Sequence, residues 1–247
     1  MISESFLLYA GRSFIYWFTE ISKATPIASL LNLFLSCFSL SKWRLIIWYI
    51  SCFNKAIELK PDYADAYCDR GIVYYSKGDL SKALADYAKA ISYDPKHYIT
   101  YFNRGAVYFY KNDFDMALAD YDMVTDLNPN FAPAYNAKGL IYYEKEKYDQ
   151  AIEEYTKAIK LDPSYANAYC NRGNAYDEKN DLKRALQDYN KAISLKPNDA
   201  NNYCDRGTAY LNSEMYKQAK SDFEKAISLD PNGPVGAEAK KMLKEIP

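Results

Sequence analysis

Six prolines stand at an unbroken step of 34 residues: Pro61, Pro95, Pro129, Pro163, Pro197 and Pro231. Gly71, Gly105, Gly139, Gly173 and Gly207 keep that step, as do Tyr67, Tyr101, Tyr135, Tyr169 and Tyr203. Tyr74, Tyr108, Tyr142, Tyr176 and Tyr210 follow it too, with Ala83, Ala117, Ala151, Ala185 and Ala219. Five units therefore run without insertion or deletion: 64–97, 98–131, 132–165, 166–199 and 200–233. Such a register constrains the fold more than any local motif, because every unit must adopt one local structure and bury one face against its neighbours. The 26 Tyr against 3 Trp are largely these recurring positions being filled.

Within a unit the apolar spacing predicts two helices. Tyr67, Gly71 and Tyr74 fall at i, i+4 and i+7 and share one face, where the glycine admits a close neighbour. Leu80, Ala83, Leu84, Tyr87, Ala90 and Ile91 form a second stripe at helical spacing. Between them Lys77, Gly78 and Asp79 supply a turn, with Gly78 able to take positive φ and Asp79 placed to cap the next helix. Asn112 with Asp113 and Asn180 with Asp181 stand in the same place. Pro95 and its equivalents end the second helix, since the residue before proline resists helical geometry.

A charged pair also repeats. Arg70, Arg104, Lys138, Arg172 and Arg206 stand at position 7 of the units, and Asp86, Asp120, Glu154, Asp188 and Asp222 follow each by 16 residues. The expectation is an ion pair inside each unit, near the crossing of its two helices, with a role in packing register.

These residues resemble the tetratricopeptide repeat, whose unit prefers an aromatic at position 4, Gly at 8, Tyr at 11, Ala at 20, an aromatic at 24, Ala at 27 and Pro at 32. Unit 166–199 matches at all of these, with Tyr169, Gly173, Tyr176, Ala185, Tyr189, Ala192 and Pro197. The cation at position 7 departs from the family's usual Leu. The resemblance implies an all-α fold: a right-handed α-α superhelix, or solenoid, of helix hairpins whose first helices line a concave groove. By the same analogy, positions 2, 5, 9, 12 and 13 of each first helix face that groove. Ile72, Tyr75, Ile99, Phe102, Phe109 and Tyr110 then make its beginning aromatic. Asn136, Tyr143, Asn167, Asn174, Asp177, Glu178, Asn201 and Asn212 make its end amide-rich and acidic. An aromatic patch with amides suits an extended peptide or an amphipathic helix of a partner protein. One subgroup of the family clamps the acidic tails of heat-shock chaperones with Lys and Arg beside Asn. Asn103 and Asn171 occupy the clamp's position 6, but position 5 holds Cys68, Phe102, Asn136, Cys170 and Cys204, so the cations are missing and such tails are not expected here.

Composition narrows the function classes. A net charge of -1 leaves no surplus of cations for a predominantly phosphate-binding protein, so no nucleic-acid partner is expected. The 5 Cys form no C-x-x-C pair, which argues against both a disulfide framework and a metal site. The one His, His97, follows Pro95 in a turn and reads as a solvent-exposed residue, not a general base. Three cysteines share position 5 of their units, a repetition that a nucleophile does not need. No phosphate loop, G-x-G-x-x-G or H-E-x-x-H occurs, and neither a catalytic residue nor a cofactor is expected.

Residues 1–53 differ sharply, with four basic and two acidic side chains. Ala24 to Ser41 runs 18 residues without a charge, which as a helix spans ~27 Å, just short of the ~30 Å hydrocarbon core. Lys42 and Arg44 would suit its cytoplasmic flank. Three readings stand for this segment: a membrane anchor drawn from residues 24–53, a divergent helix pair, or sequence that is not native coding. The 34-residue register itself places Phe53, Ala56 and Pro61 at positions 24, 27 and 32 of a preceding unit, so 54–63 reads as the end of a partial repeat. At the other end, residues 234–247 read as a capping helix, with Val235, Ala239, Met242, Leu243 and Ile246 facing inward. The functional expectation is a non-enzymatic protein-interaction scaffold, cytoplasmic or held on the cytoplasmic side of a membrane. The alternatives are a membrane-tethered assembly or co-chaperone-like factor, and an enzyme on a helical-repeat scaffold.

Overall fold

The turn chemistry read above sets where each helix starts and stops. A computed structural model describes residues 42–247, among which every regular element is a helix. In chain order these are α1 (Lys42–Leu59), α2 (Ala64–Ser76), α3 (Leu80–Tyr93), α4 (Tyr98–Tyr110), α5 (Phe114–Leu127) and α6 (Ala132–Glu144). Then come α7 (Tyr148–Leu161), α8 (Ala166–Glu178), α9 (Leu182–Leu195), α10 (Ala200–Asn212), α11 (Tyr216–Leu229) and α12 (Pro234–Leu243). The chain divides into two compact units, one ending at Asp113 and the other beginning at Phe114. Each is an α-α solenoid segment of helix hairpins.

The hairpin turns follow one recipe. Gly78 takes φ +81°, and the Asp79 amide reaches back to the Tyr74 carbonyl at 2.9 Å, closing the end of α2 with a left-handed residue. Asn112 and Asn180 do the same at φ 59° and 57°. Asp79 and Asp181 cap α3 and α9 by accepting from the amides of Lys82 and Arg184. In two turns the left-handed residue is a glutamate, Glu146 at φ 56° and Glu214 at φ 59°, and Lys147 and Met215 offer no side-chain cap. The loops between hairpins are fastened by the position-4 tyrosines. Tyr67, Tyr135 and Tyr203 each donate their hydroxyl to the carbonyl of the proline six residues before, Pro61, Pro129 and Pro197.

Each hairpin core is a ring laid on a glycine. A Cβ added at Gly71, Gly139, Gly173 or Gly207 would lie 2.5–2.8 Å from the ring of Tyr87, Tyr155, Tyr189 or Phe223. All four rings are fully buried, so the space a methyl would need is already taken.

In the first unit α1 packs on α2. Phe53 and Ala56 are buried against Ala66 of α2. The candidate spanning stretch from Ala24 to Ser41 lies outside the described residues, and no described helix is long and apolar enough to cross a membrane. In the second unit α12 covers α11, with Ala239 buried against Phe223 and Ala226 and with Val235, Met242, Leu243 and Ile246 packed around them. The Asp230 carboxylate accepts from the amides of Val235 and Gly236 and so caps α12.

Candidate functional site

The position-7 cations sit on the flank of the first helices and act between helices. Arg70 donates from Nε and Nη2 to both carboxylate oxygens of Asp86, at 2.8 and 2.6 Å. Arg172 holds Asp188 in the same fork at 2.7 and 2.8 Å, and Arg206 holds Asp222 at 2.7 Å on both arms. The bidentate geometry and the buried carboxylates make these tight pairs. A third arm was not legible as part of the pair: Nη1 reaches the preceding repeat, donating to Asn54 from Arg70, to Thr156 from Arg172 and to Asn190 from Arg206. The signal that could have found it is the constant separation of 16 residues back to position 25. Arg70, Arg172 and Arg206 each also lie between the position-4 and position-11 tyrosine rings, 5.4–6.0 Å from their centroids.

Lys138 departs from this pattern. Its ammonium lies 2.7 Å from Asp122 of α5 and 3.9 Å from Glu154, while Glu154 takes Lys157 at 2.8 Å. A single ammonium lacks the guanidinium fork, and position 25 here is itself a carboxylate, so the cation goes to the neighbouring repeat. Arg104 is half-buried on α4, 5.5 Å from the Tyr101 ring, and Asp120 is buried on α5.

The first-helix row of the first unit is aromatic. Tyr75 and Tyr110 meet edge to face at 6.4 Å between centroids, and Tyr110 is 68% exposed. Phe102 and Phe109 are half-buried on the same helix as Tyr110, and Ile72 and Ile99 pack on the core below. His97 is not the exposed side chain expected from its turn. Nδ1 lies 2.6 Å from the Thr100 hydroxyl and Nε2 lies 3.3 Å from Asp65, because the residue before α4 is folded back on the helix start.

In the second unit several amides of the row are already engaged. Asn136 is buried and accepts from Asn171 at 2.9 Å, and Asn174 accepts from the Tyr189 hydroxyl at 2.7 Å. Asn167 accepts from Lys196, while Asn201 donates to Asp199 beside the start of α10. Tyr143 donates to Glu178 at 3.3 Å and sets its ring against Tyr148. Asp177 and Glu178 remain at the surface of the row, half-buried and exposed.

Position 5 of one first helix meets position 6 of the next. Cys68 faces Asn103, Asn136 faces Asn171, and Cys170 donates to Asp205 at 2.9 Å. Burial pushes the thiols of Cys68 and Cys204 up to about 12, and burial with Asp205 raises Cys170. These thiols stay protonated and serve packing, not attack. Burial raises Asp69, at the same position 6, to about 7, with the charge of Asp65 adding to the effect. Among the described residues no group of three ligating side chains could hold a metal ion.

Stacked helix hairpins with an accessible row on their first helices, and with buried thiols and paired cations elsewhere, define the class of helical-repeat interaction scaffolds. The tetratricopeptide repeat model matches residues 64–97, 98–131, 166–199 and 200–232, and a TPR repeat model matches 139–179. The chain belongs to the tetratricopeptide repeat family. Among solved structures, MamA is 28% identical, with a TM-score of 0.57 over 68% of this chain and 92% of that one. YrrB, described as a TPR protein with an unusual peptide-binding site, is 24% identical, with a TM-score of 0.56 over 76% and 97%. PilF of Pseudomonas aeruginosa shares the fold at 17% identity, with a TM-score of 0.61 over 74% and 91%. A comparison with curated protein sequences gave no match. Membership makes the chain a protein-interaction scaffold, in a family whose members generally bind other proteins or peptides without catalysis.

Proposed function

We propose that the aromatic row of α2 and α4 receives apolar side chains of a partner polypeptide, presented on an extended strand or on one face of a helix. The observation that carries this reading is Tyr110, 68% exposed and standing edge-on against Tyr75. A large exposed aromatic with half-buried aromatics around it is the composition of an interface anchor. The rigid helices beneath hold the row in place before docking, so little ordering entropy opposes binding. Recognition is then the whole mechanism, with no bond made or broken.

The test is peptide selection by display against the full chain, followed by affinity measurement with a Phe102→Ala, Tyr110→Ala variant. Truncating two anchors is expected to weaken selected peptides by at least tenfold, on the scale of about 2 kcal/mol for one hot-spot residue. Equal affinity for both proteins, with folding confirmed by circular dichroism, would remove the aromatic row as the binding face.

A further inference from the structure

Four first helices end on a lysine at position 14: Lys77, Lys111, Lys145 and Lys179, each the C-cap of its helix. In the second unit, Lys145 and Lys179 take a carboxylate 30 residues earlier, at position 18 of the preceding repeat. Lys145 lies 2.7 Å from Asp115, and Lys179 is bonded to Asp149. The first unit lacks those acids. The same separation leads from Lys111 to Ser81 and from Lys77 to Ile47, which is 63% exposed. Lys77 and Lys111 are exposed, and among the described residues neither forms an ion pair. Asp79, on which the charge of Lys77 bears, accepts instead from the amide and the ammonium of Lys82.

These two lysines adjoin the exposed aromatics. Lys111 follows Tyr110 directly, and Lys77 stands two residues after Tyr75, the ring that Tyr110 meets edge to face. At positions 2, 5, 9, 12 and 13 of α2 and α4 the one charged side chain is Asp65, and it lies 3.3 Å from the His97 imidazole. The row thus offers rings along its length and cations at its edge. The unit as a whole has the same sign, since residues 42–113 hold 11 basic and 8 acidic side chains, against 18 and 22 over 114–247. A segment with carboxylates beside its apolar side chains is favoured by the field of the first unit and disfavoured by that of the second. A purely apolar segment would leave both ammoniums without a counter-charge.

We infer that the aromatic row of α2 and α4 binds an acidic segment of a partner polypeptide, with Asp or Glu side chains on Lys77 and Lys111 and apolar side chains against Tyr75, Phe102 and Tyr110. This rests on the reading that the row is the binding face, and it adds the partner's charge. Position 14 is ~13.5 Å along the helix from position 5, where the chaperone-tail clamp needs its lysine. Side-chain carboxylates therefore suffice, and no chain terminus is called for. Ion pairs at such a rim add modestly to affinity and more to the choice of partner.

The experiment passes a pool of random-sequence decapeptides, amidated at the C-terminus, over the immobilised full chain and sequences what is retained. The wild-type protein is expected to enrich Asp and Glu about threefold over the input, together with aromatic and aliphatic residues. Retention should weaken between about 50 and 300 mM salt. Lys77→Gln with Lys111→Gln should abolish the acidic enrichment and keep the apolar one. Ser81→Asp, at an exposed site, keeps every lysine and ring but supplies to Lys111 the acid that Lys145 has in Asp115. It should weaken the selected acidic peptides about two- to fivefold. Lys145→Gln with Lys179→Gln, the same charge change at lysines already paired, should leave the enrichment as it is. Apolar peptides without acidic enrichment, lost by the Phe102→Ala, Tyr110→Ala variant, would overturn the acidic assignment and leave the aromatic row as the binding face. Acidic enrichment that persists in Lys77→Gln with Lys111→Gln, or that the paired-lysine variant loses equally, would also overturn the assignment. Retention of no peptide by the wild-type protein would overturn this inference together with the reading it rests on.

Discussion

Position 24 carries Tyr87, Tyr121, Tyr155 and Tyr189 in four units and Phe223 in the fifth. The ring is the common requirement, because it covers the glycine of the first helix. The hydroxyl is a separate matter, decided by position 9, which reads Ile72, Ala106, Leu140, Asn174 and Thr208. Tyr189 finds Asn174 there, while Tyr155 finds Leu140 and is left without a partner. Tyr155→Phe should therefore leave the midpoint of thermal unfolding unchanged or raise it, by up to about 1 kcal/mol of stability, whereas Tyr189→Phe should lower stability by about 1 kcal/mol. Equal losses from both would mean that the Tyr155 hydroxyl has a partner. Asp69 offers a second test at this scale. Burial, then Asp65, raises its carboxyl to about 7, while the unfolded chain releases that proton near pH 4. The folded state thus holds a proton that the unfolded state lacks between those values, so this group costs stability as pH rises from about 4 to 7 and the cost is constant above. Asp69→Asn should raise the urea midpoint by more at pH 8 than at pH 5, and an equal gain at both would show that Asp69 does not titrate near neutrality.

The hairpin turn is the element where the sequence was most and least transparent. Gly78, Asn112 and Asn180 announce a left-handed residue, and Asp79 and Asp181 announce the caps, because those residue types have few other reasons to occupy such places. Glu146 and Glu214 adopt the same backbone without any preference for it, and only the unbroken repeat length implied that they must. Their conformation is imposed by the helices on either side. Glu146→Asn with Lys147→Asp should raise stability by about 1–2 kcal/mol, adding a cap worth about 1 kcal/mol and easing the left-handed residue. Denaturant unfolding of that variant beside Asn180→Glu with Asp181→Lys, expected to lose a similar amount, checks both directions. The first helix was harder to read for a different reason. Its apolar composition satisfies a membrane, a core and a divergent repeat equally well, and the burial of Phe53 and Ala56 against Ala66 shows only that its end packs on α2.

On the scale of the whole molecule, a repeat array is stable only through the contacts between its bricks, and position 7 is where one such contact is made by charge. The pairing of Arg70, Arg172 and Arg206 with acids 16 residues on was legible because both positions keep their charge in every unit. The arm to the preceding repeat was not, because its acceptor changes from Asn54 to Asp122, Thr156 and Asn190. The two halves of this device should separate by mutation. Arg206→Met strands the buried Asp222 carboxylate and should cost about 3–5 kcal/mol, the penalty of breaking a buried pair from one side. Asn190→Ala keeps that pair and removes only the link from α9 to α10, so it should cost about 1–2 kcal/mol. Hydrogen exchange read by helix carries the decisive prediction. In Asn190→Ala, protection should fall in α10, α11 and α12 while α6 and α7 keep theirs, because the lost bond couples the last repeat and its cap to the one before. Protection lost evenly from α6 to α12 would mean that this arm does not set the coupling between repeats.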